Sequence, residues 1–120
     1  MLDLTFYKGK KVLVTGHTGF KGTWLCNILL LAGADITGYS LEPPTNPSMF
    51  EITGLGGRMN SVIGDIRDFE NLKNVFDEIQ PEIVLHLAAQ PIVLESYNNP
   101  KYTYETNVMG TVNILECIRT

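Results

Sequence analysis

The sequence predicts an α/β fold: a doubly wound parallel sheet of Rossmann type, present as an incomplete first half of about four strands. Short β-branched runs alternate with longer helical stretches along the 120 residues, and this alternation favours parallel strands joined by right-handed crossovers. Residues 83–88 are continuously apolar apart from His86, which is typical of a parallel strand covered on both faces. The binding crevice of such a sheet lies at the carboxyl ends of its strands.

The first third of the chain predicts one βαβ unit. Residues 10–15 form a strand that ends at Gly16, and the apolar stretch 20–32 is long enough for a helix. Gly33 stands where a left-handed residue ends a helix, and residues 34–39 then form the second strand.

The middle of the chain predicts a long loop followed by a strand and a helix. Residues 41–58 are rich in proline and glycine, with room for one helical turn at 48–52, and loops of that length are usually functional. Residues 61–64 form the third strand. Asp68 caps a helix that runs to about Gln80, where Pro81 stops it. That helix carries an apolar stripe formed by Phe69, Leu72, Val75, Phe76 and Ile79.

The last part of the chain predicts a loop over residues 90–100 and a final helix. The helix is indicated by the spacing of Tyr104, Val108, Thr111, Val112, Leu115 and Ile118.

Composition excludes several classes of function. Nine cations stand against thirteen anions without a basic stripe, so a nucleic-acid partner is not expected. The longest apolar run, residues 28–34, is too short to cross a membrane, and the polar start, residues 1–11, lacks an export signal. Cys26 and Cys117 lie in apolar helical stretches away from any pairing or metal-ligand spacing. We therefore expect a cytoplasmic protein with no membrane segment, no disulfide and no metal site.

The segment Thr15-Gly16-His17-Thr18-Gly19-Phe20-Lys21-Gly22 places three glycines between a strand and a helix. Gly16 permits the tight turn, Gly19 lets the backbone approach a pyrophosphate, and Gly22 brings the helix close to the sheet. The amides of residues 19–21 are expected to face the phosphates. The alternative is that the glycines serve only a tight turn.

This glycine segment resembles the TGxxGxxG fingerprint of the extended short-chain dehydrogenase/reductase family. Further pieces of that family's pattern follow in order at residues 64–68, 86–90 and 104–111. Within the family, His17, Lys21 and the segment 38–50 resemble the CDP-glucose 4,6-dehydratases. The resemblance covers almost the whole chain but only the amino-terminal part of a family member. Residues 1–120 are thus interpreted as the amino-terminal part of a dinucleotide-binding domain, with the rest of that domain and the substrate domain absent.

The resemblance implies NAD as cofactor and assigns its contacts. Asp65 would accept from the adenine amino group and Ile66 would cover the adenine face, although Asp65 alone also suits a strand-ending turn. Residues 87–90 would pass beneath the cofactor, although Ala88 and Ala89 alone also suit plain strand packing. Thr106 would complete this wall, and Asn107 would tie the last helix to a neighbouring strand. The predicted cofactor-binding residues are Gly16, His17, Thr18, Gly19, Phe20, Lys21, Gly22, Ser40, Asp65, Ile66, Leu87, Ala88, Ala89, Gln90 and Thr106.

The end of the second strand departs from the usual NAD pattern. Ser40 stands where an acid normally takes the ribose hydroxyls, with Glu42 two residues beyond. No Arg or Lys lies between Lys21 and Arg58 to hold a 2′-phosphate. We expect NAD, while Lys21 and His17 near the phosphates keep NADP open.

The family resemblance implies conversion of CDP-glucose to CDP-4-keto-6-deoxyglucose, for deoxysugar and cell-surface polysaccharide synthesis, by a homo-oligomer when full-length. The Tyr-x-x-x-Lys pair that such chemistry needs is not assigned. Tyr7 precedes the first strand, and Pro100 interrupts the turn between Tyr97 and Lys101. No catalytic residue is therefore predicted within the chain.

Two alternatives stay open. The chain could be a complete, non-catalytic nucleotide-binding module, or part of another extended short-chain dehydrogenase such as a sugar-nucleotide epimerase. His86, a lone imidazole in an apolar strand, is expected to be a core histidine with a satisfied hydrogen bond rather than a proton-transfer group.

Overall fold

The protein folds around a four-stranded parallel sheet with the strand order β3-β2-β1-β4, as seen in a computed structural model that describes residues 3–120. The strands are β1 (Lys11–Thr15), β2 (Asp35–Ser40), β3 (Asn60–Ile63) and β4 (Ile83–His86). Thr15 lies opposite Tyr39 on one side and His86 on the other. The carboxyl ends of three strands therefore meet at one edge, as the predicted Rossmann topology requires.

Helices connect the strands in the predicted order. They are α1 (Phe20–Leu31), α2 (Met49–Ile52), α3 (Phe69–Ile79), α4 (Val93–Asn98), α5 (Pro100–Tyr104) and α6 (Gly110–Arg119), with single 3₁₀ turns at Thr5–Tyr7 and Leu55–Gly57 and a π segment at Glu105–Met109. None of the helices in residues 3–120 has the length and apolar character needed to span a bilayer.

Hydrophobic cores cover both faces of the central strand β1. Leu13 faces one core with Leu72 and Phe76 of α3, while Val12 and Val14 face the other. Because side chains alternate along a strand, the run of buried residues in β1 shows that both faces are covered. This confirms the doubly wound arrangement.

The predicted ends of α1 and α3 are confirmed. Gly33 adopts φ +79° directly after α1, where a left-handed residue is expected. The Asp68 side chain accepts from the Asn71 amide at 3.1 Å, and Gln80 ends α3 with φ 52°.

One prediction about the later elements is wrong, and another is confirmed only in part. Residues 90–100 do not form a simple loop, because 93–98 are helical and Pro100 begins α5. Proline is tolerated at the first position of a helix, where its missing N–H has no partner. The expected cover on both faces of β4 is present but incomplete. Val84 packs against one core, and Ile83 and Leu85 pack against the other. All four residues of β4 stay partly exposed, because β4 is an edge strand of the described sheet.

Candidate functional site

A cleft of about 820 Å³ lies at the carboxyl ends of β1, β2 and β4. Every predicted cofactor-binding residue except His17 lines it. The sequence prediction missed several further lining residues, which are Tyr39, Leu41, Glu42, Pro44, Gly64, Pro91, Ile92 and Tyr102.

Two of the three turn glycines are required by the fold itself. Gly16 has φ +79°, and a Cβ there would lie 2.9 Å from the Ala88 nitrogen. A Cβ on Gly22 would lie 2.0 Å from the Gly16 carbonyl oxygen. A side chain at Gly16 would push the turn away from Leu87 and Ala88, and a side chain at Gly22 would push α1 away from the turn.

Gly19 is different, because nothing in the protein requires a glycine there. Its φ is −80°, and an added Cβ would meet only the Gly16 carbonyl oxygen, at an ordinary contact distance of 3.5 Å. Gly19 also lines the cleft directly before the first turn of α1. The absence of a side chain at this position therefore keeps space open in the cleft rather than in the protein interior.

The amides expected to face phosphates are corrected at one position. The Gly19 amide donates to the Gly16 carbonyl at 3.2 Å and so belongs to the turn. Phe20 and Lys21 occupy the first two positions of α1, where amides have no acceptor within the helix. Those two amides and the positive end of the helix remain for an anion in the cleft.

The position predicted for His17 is wrong for its side chain. The imidazole is fully buried, with Nε2 2.7 Å from Ser61 Oγ, and it lies against Gly38, where a Cβ would be 2.3 Å from the ring. Burial lowers the pKa of His17 to about 4, so the ring is neutral at pH 7. It supplies no positive charge to the cleft.

The hydroxyl groups beside the turn form a short chain of hydrogen bonds. Thr18 Oγ1 donates to the Leu41 carbonyl at 2.8 Å. Because a hydroxyl has one proton, Ser40 Oγ is the donor in its own 2.8 Å bond to Thr18. Ser40 thus faces the cleft with acceptor capacity at the end of β2.

An arginine clamp holds Asp65 at the other end of the cleft. Arg67 Nη2 lies 2.7 Å from Asp65 Oδ2. The Arg67 backbone amide also donates to Asp65 Oδ1 at 2.8 Å, a bond typical of the turn residue that Asp65 alone also suits. The hydrogen bonds from Arg67 hold the pKa of Asp65 below its usual range. Arg67 also reaches Glu105 at 3.2 Å and lies 4.9 Å above the Tyr102 ring. Asp65 is therefore an ionised, oriented acceptor.

The segment after β4, residues 87–90, forms the floor of the cleft. Asn107 is tied to it at Gln90, accepting from the Gln90 amide at 2.7 Å and donating to the Gln90 carbonyl at 3.0 Å. Thr106, one residue earlier, has a buried Oγ1 without a hydrogen-bond partner among residues 3–120. This hydroxyl belongs to a residue that lines the cleft.

Neither Tyr-x-x-x-Lys pair reaches the cleft. Tyr97 lies in α4 and Lys101 in α5, separated by the break at Asn99. Tyr7 precedes β1, and Lys11 begins that strand at the end opposite the cleft. Within residues 3–120 there is also no group of three or more His, Cys, Asp or Glu side chains that could hold a metal ion.

Comparison with known proteins identifies relatives of this arrangement. A family model described as GDP-mannose 4,6 dehydratase matches residues 13–120. The CDP-glucose 4,6-dehydratase of Salmonella typhimurium is 57% identical over 119 residues, which cover 99% of this chain and 33% of that protein. A GDP-mannose 4,6-dehydratase of Vibrio cholerae is 32% identical over 116 residues, which cover 92% of this chain and 31% of that protein.

A solved structure shares the fold. The UDP-glucose 4-epimerase of Thermus thermophilus, in complex with NAD, superposes with a TM-score of 0.77 at 32% identity, over 91% of this chain and 33% of that one. The chain thus spans about a third of the length of the relatives it matches. These matches confirm the resemblance to CDP-glucose 4,6-dehydratases that the motifs predicted.

Proposed function

We propose that this chain, which belongs to the GDP-mannose 4,6-dehydratase family, is the NAD-binding part of an enzyme that converts CDP-glucose to CDP-4-keto-6-deoxyglucose. The observation that carries NAD binding is Gly19, a glycine that the fold does not need and the cleft keeps open. The substrate rests on similarity, since identity is 57% to a CDP-glucose dehydratase against 32% to a GDP-mannose dehydratase.

The residues present fit NAD in two independent ways. The space above Gly19 would be filled by a Cβ, as expected where a backbone must approach a pyrophosphate. The unpartnered Oγ1 of Thr106 is a buried polar group that costs free energy unless a ligand or water completes it. Both positions line the same cleft.

Each part of the cleft has a chemical counterpart in a dinucleotide. The amides of Phe20 and Lys21 at the start of α1 suit the pyrophosphate, with the exposed Lys21 as counter-charge. Asp65 suits the adenine amino group, and the floor at residues 87–90 suits the ribose and nicotinamide side. When bound, NAD supplies an acceptor that takes a hydride from the sugar and returns it.

The electrostatics favour NAD over NADP. His17 is buried and neutral, so one of the two cations expected near the phosphates is absent. Glu42 lines the cleft close to Ser40, and a carboxylate there repels a 2′-phosphate while accepting from ribose hydroxyls. We propose that Ser40 and Glu42 together replace the usual ribose-binding acid.

The groups that perform the dehydration are proposed to lie outside the described residues. No tyrosine and lysine pair among residues 3–120 faces the cleft in the required spacing. The alternatives of a non-catalytic module or an epimerase are less favoured, because the 57% match is to a dehydratase. Homo-oligomerisation of the full-length protein and a cytoplasmic location remain predictions.

A matched pair of glycine substitutions tests NAD binding. Gly19→Val places a branched side chain in the cleft, whereas Gly57→Val places the same side chain in open space, with nothing within 4 Å of its Cβ. In titration calorimetry we expect Gly19→Val to weaken NAD binding at least about a hundredfold, or about 2.7 kcal/mol, and Gly57→Val to bind as the wild type does. Unchanged far-ultraviolet circular dichroism in both variants is the folding control. Equal affinity in all three proteins would refute the assignment.

A further inference from the structure

His86 sits at the centre of a hydrogen-bond network beneath the cleft. Its Nδ1 lies 2.6 Å from Thr15 Oγ1, and its Nε2 lies 3.3 Å from Thr111 Oγ1. The ring therefore links the end of β1 to α6. His86 itself does not line the cleft.

The positions of the protons in this network follow from counting donors and acceptors. A threonine hydroxyl has one proton and two lone pairs. The amides of Leu87 and Ala88 donate to Thr15 Oγ1 at 3.0 and 3.1 Å and fill both lone pairs. The Thr15 proton must then be donated to His86 Nδ1, which is unprotonated.

The same count fixes the other side of the ring. A neutral imidazole with an unprotonated Nδ1 carries its proton on Nε2, so His86 donates to Thr111 Oγ1. Thr111 in turn donates its own proton to the backbone carbonyl of Asn107 at 2.7 Å. Burial lowers the pKa of His86, which agrees with a neutral ring.

The network reaches the cleft at both ends. On one side Thr15 holds the backbone amides of Leu87 and Ala88, which belong to the floor. On the other, Asn107 holds both backbone groups of Gln90 and directly follows Thr106. The donor and the acceptor of each bond are thus fixed. If His86 Nδ1 no longer accepts, the Thr15 hydroxyl must turn its proton elsewhere and can lose a bond from the Leu87 or Ala88 amide.

We infer that His86 is a positioning residue, whose neutral ring, protonated on Nε2, holds the cleft floor and the Thr106 region in the geometry that binds NAD. This inference rests on the proposed function. It assigns His86 no contact with substrate and no proton transfer. It does predict that NAD affinity depends on the hydrogen-bonding capacity of Thr15 and His86, not only on their volume.

The first test reads the tautomer directly and needs no mutation. The chain contains only two histidines, so ¹⁵N-labelled histidine gives two sets of ring signals, and His17→Gln assigns them. At pH 7 we expect the His86 shifts of an unprotonated Nδ1 and a protonated Nε2. The opposite tautomer, or a charged ring, would overturn the inference.

The second test measures NAD affinity in substitutions matched for volume. Thr15→Val keeps the shape of the side chain but removes the hydroxyl, while Thr15→Ser keeps the hydroxyl and removes a methyl group. We expect Thr15→Val to bind NAD about tenfold more weakly, or about 1.4 kcal/mol, and Thr15→Ser to recover most of that loss. His86→Leu should match Thr15→Val, and His86→Asn, which can still accept from Thr15, should lose less.

The outcomes separate the two claims. If the wild type binds NAD and all four variants bind it equally, the inference is wrong and the proposed function stands. If the wild type does not bind NAD, the proposed function is wrong, and the tautomer still decides whether the network is assigned correctly. If a variant fails to fold, two wild-type measurements test the inference in its place. The His86 ring signals must show the expected tautomer, and the Leu87 and Ala88 amides must exchange slowly with solvent; fast exchange of these amides would contradict the inference.

Discussion

Lowering the pH should destabilise the fold through His17. The imidazole is fully buried, with Nε2 bonded to Ser61 and with Nδ1 lacking a partner among the described residues. Protonation would place a positive charge in that site without a counter-ion. The folded protein therefore resists protonation more strongly than the unfolded chain does.

The size of the effect follows from the difference in pKa. The pKa of His17 is about 4 in the folded protein against 6.5 for an ordinary histidine. As the pH falls below 6.5 the unfolded state binds the proton first, so stability is complete above pH 6.5 and is lost progressively down to pH 4. At 1.36 kcal/mol per pH unit, the loss reaches about 3 kcal/mol, which is a large part of the usual 5–15 kcal/mol stability of a domain.

Urea unfolding between pH 7.5 and 4 measures this loss. His17→Gln cannot titrate and is the comparison, because His86 and the carboxylates titrate equally in both proteins and cancel in the difference. We expect the wild type to lose about 3 kcal/mol more than His17→Gln over this range. Ser61→Ala, which removes the hydrogen-bond partner but keeps the imidazole, should retain the steep pH dependence. Parallel profiles for wild type and His17→Gln would show that the ring is not held neutral by burial.

Two further predictions concern cofactor choice and turnover. The wild type should bind NAD at least as tightly as NADP, and Ser40→Asp should widen that preference by about tenfold because it adds a ribose acceptor beside Glu42. Calorimetry with both cofactors measures this preference, and a clear NADP preference in the wild type would contradict the prediction. The 120-residue chain alone should show no conversion of CDP-glucose, since each missing general acid or base typically contributes about a hundred- to ten-thousand-fold to the rate. The full-length protein should accumulate the 4-keto sugar, which is measured by its ultraviolet absorbance in alkali. Turnover by the short chain would mean that Tyr97 and Lys101 were wrongly excluded.

The sequence predicts best the features that one residue type alone can satisfy. Gly33 and Gly16 both adopt positive φ, a conformation that glycine reaches without strain, so the end of α1 and the first turn were predictable. Asp68 bonds the Asn71 amide because a short acceptor is needed at a helix start. Each of these features depends on the conformation or hydrogen bonding of neighbouring residues, so a short stretch of sequence is enough to predict it.

The direction of the His17 side chain was not predictable from its place in the glycine turn, because that depends on a partner strand. The useful signal was Gly38, since a glycine inside a strand often marks a close approach, and here the approaching group is the imidazole. Gly64 carries the same signal for Tyr39, where a Cβ would lie 2.6 Å from the ring. The burial of Leu55 within the long loop likewise depends on contacts distant in sequence.

Backbone amide NMR signals followed during an NAD titration map the cofactor onto the chain residue by residue. We expect the largest shifts at Phe20 and Lys21 at the start of α1, with smaller shifts at Ala88 and Thr106 across the cleft. The second cavity, of about 380 Å³ beside Cys117, should stay unchanged. Shifts confined to that second cavity, or none at saturating NAD, would contradict the claim that the glycine turn binds the cofactor.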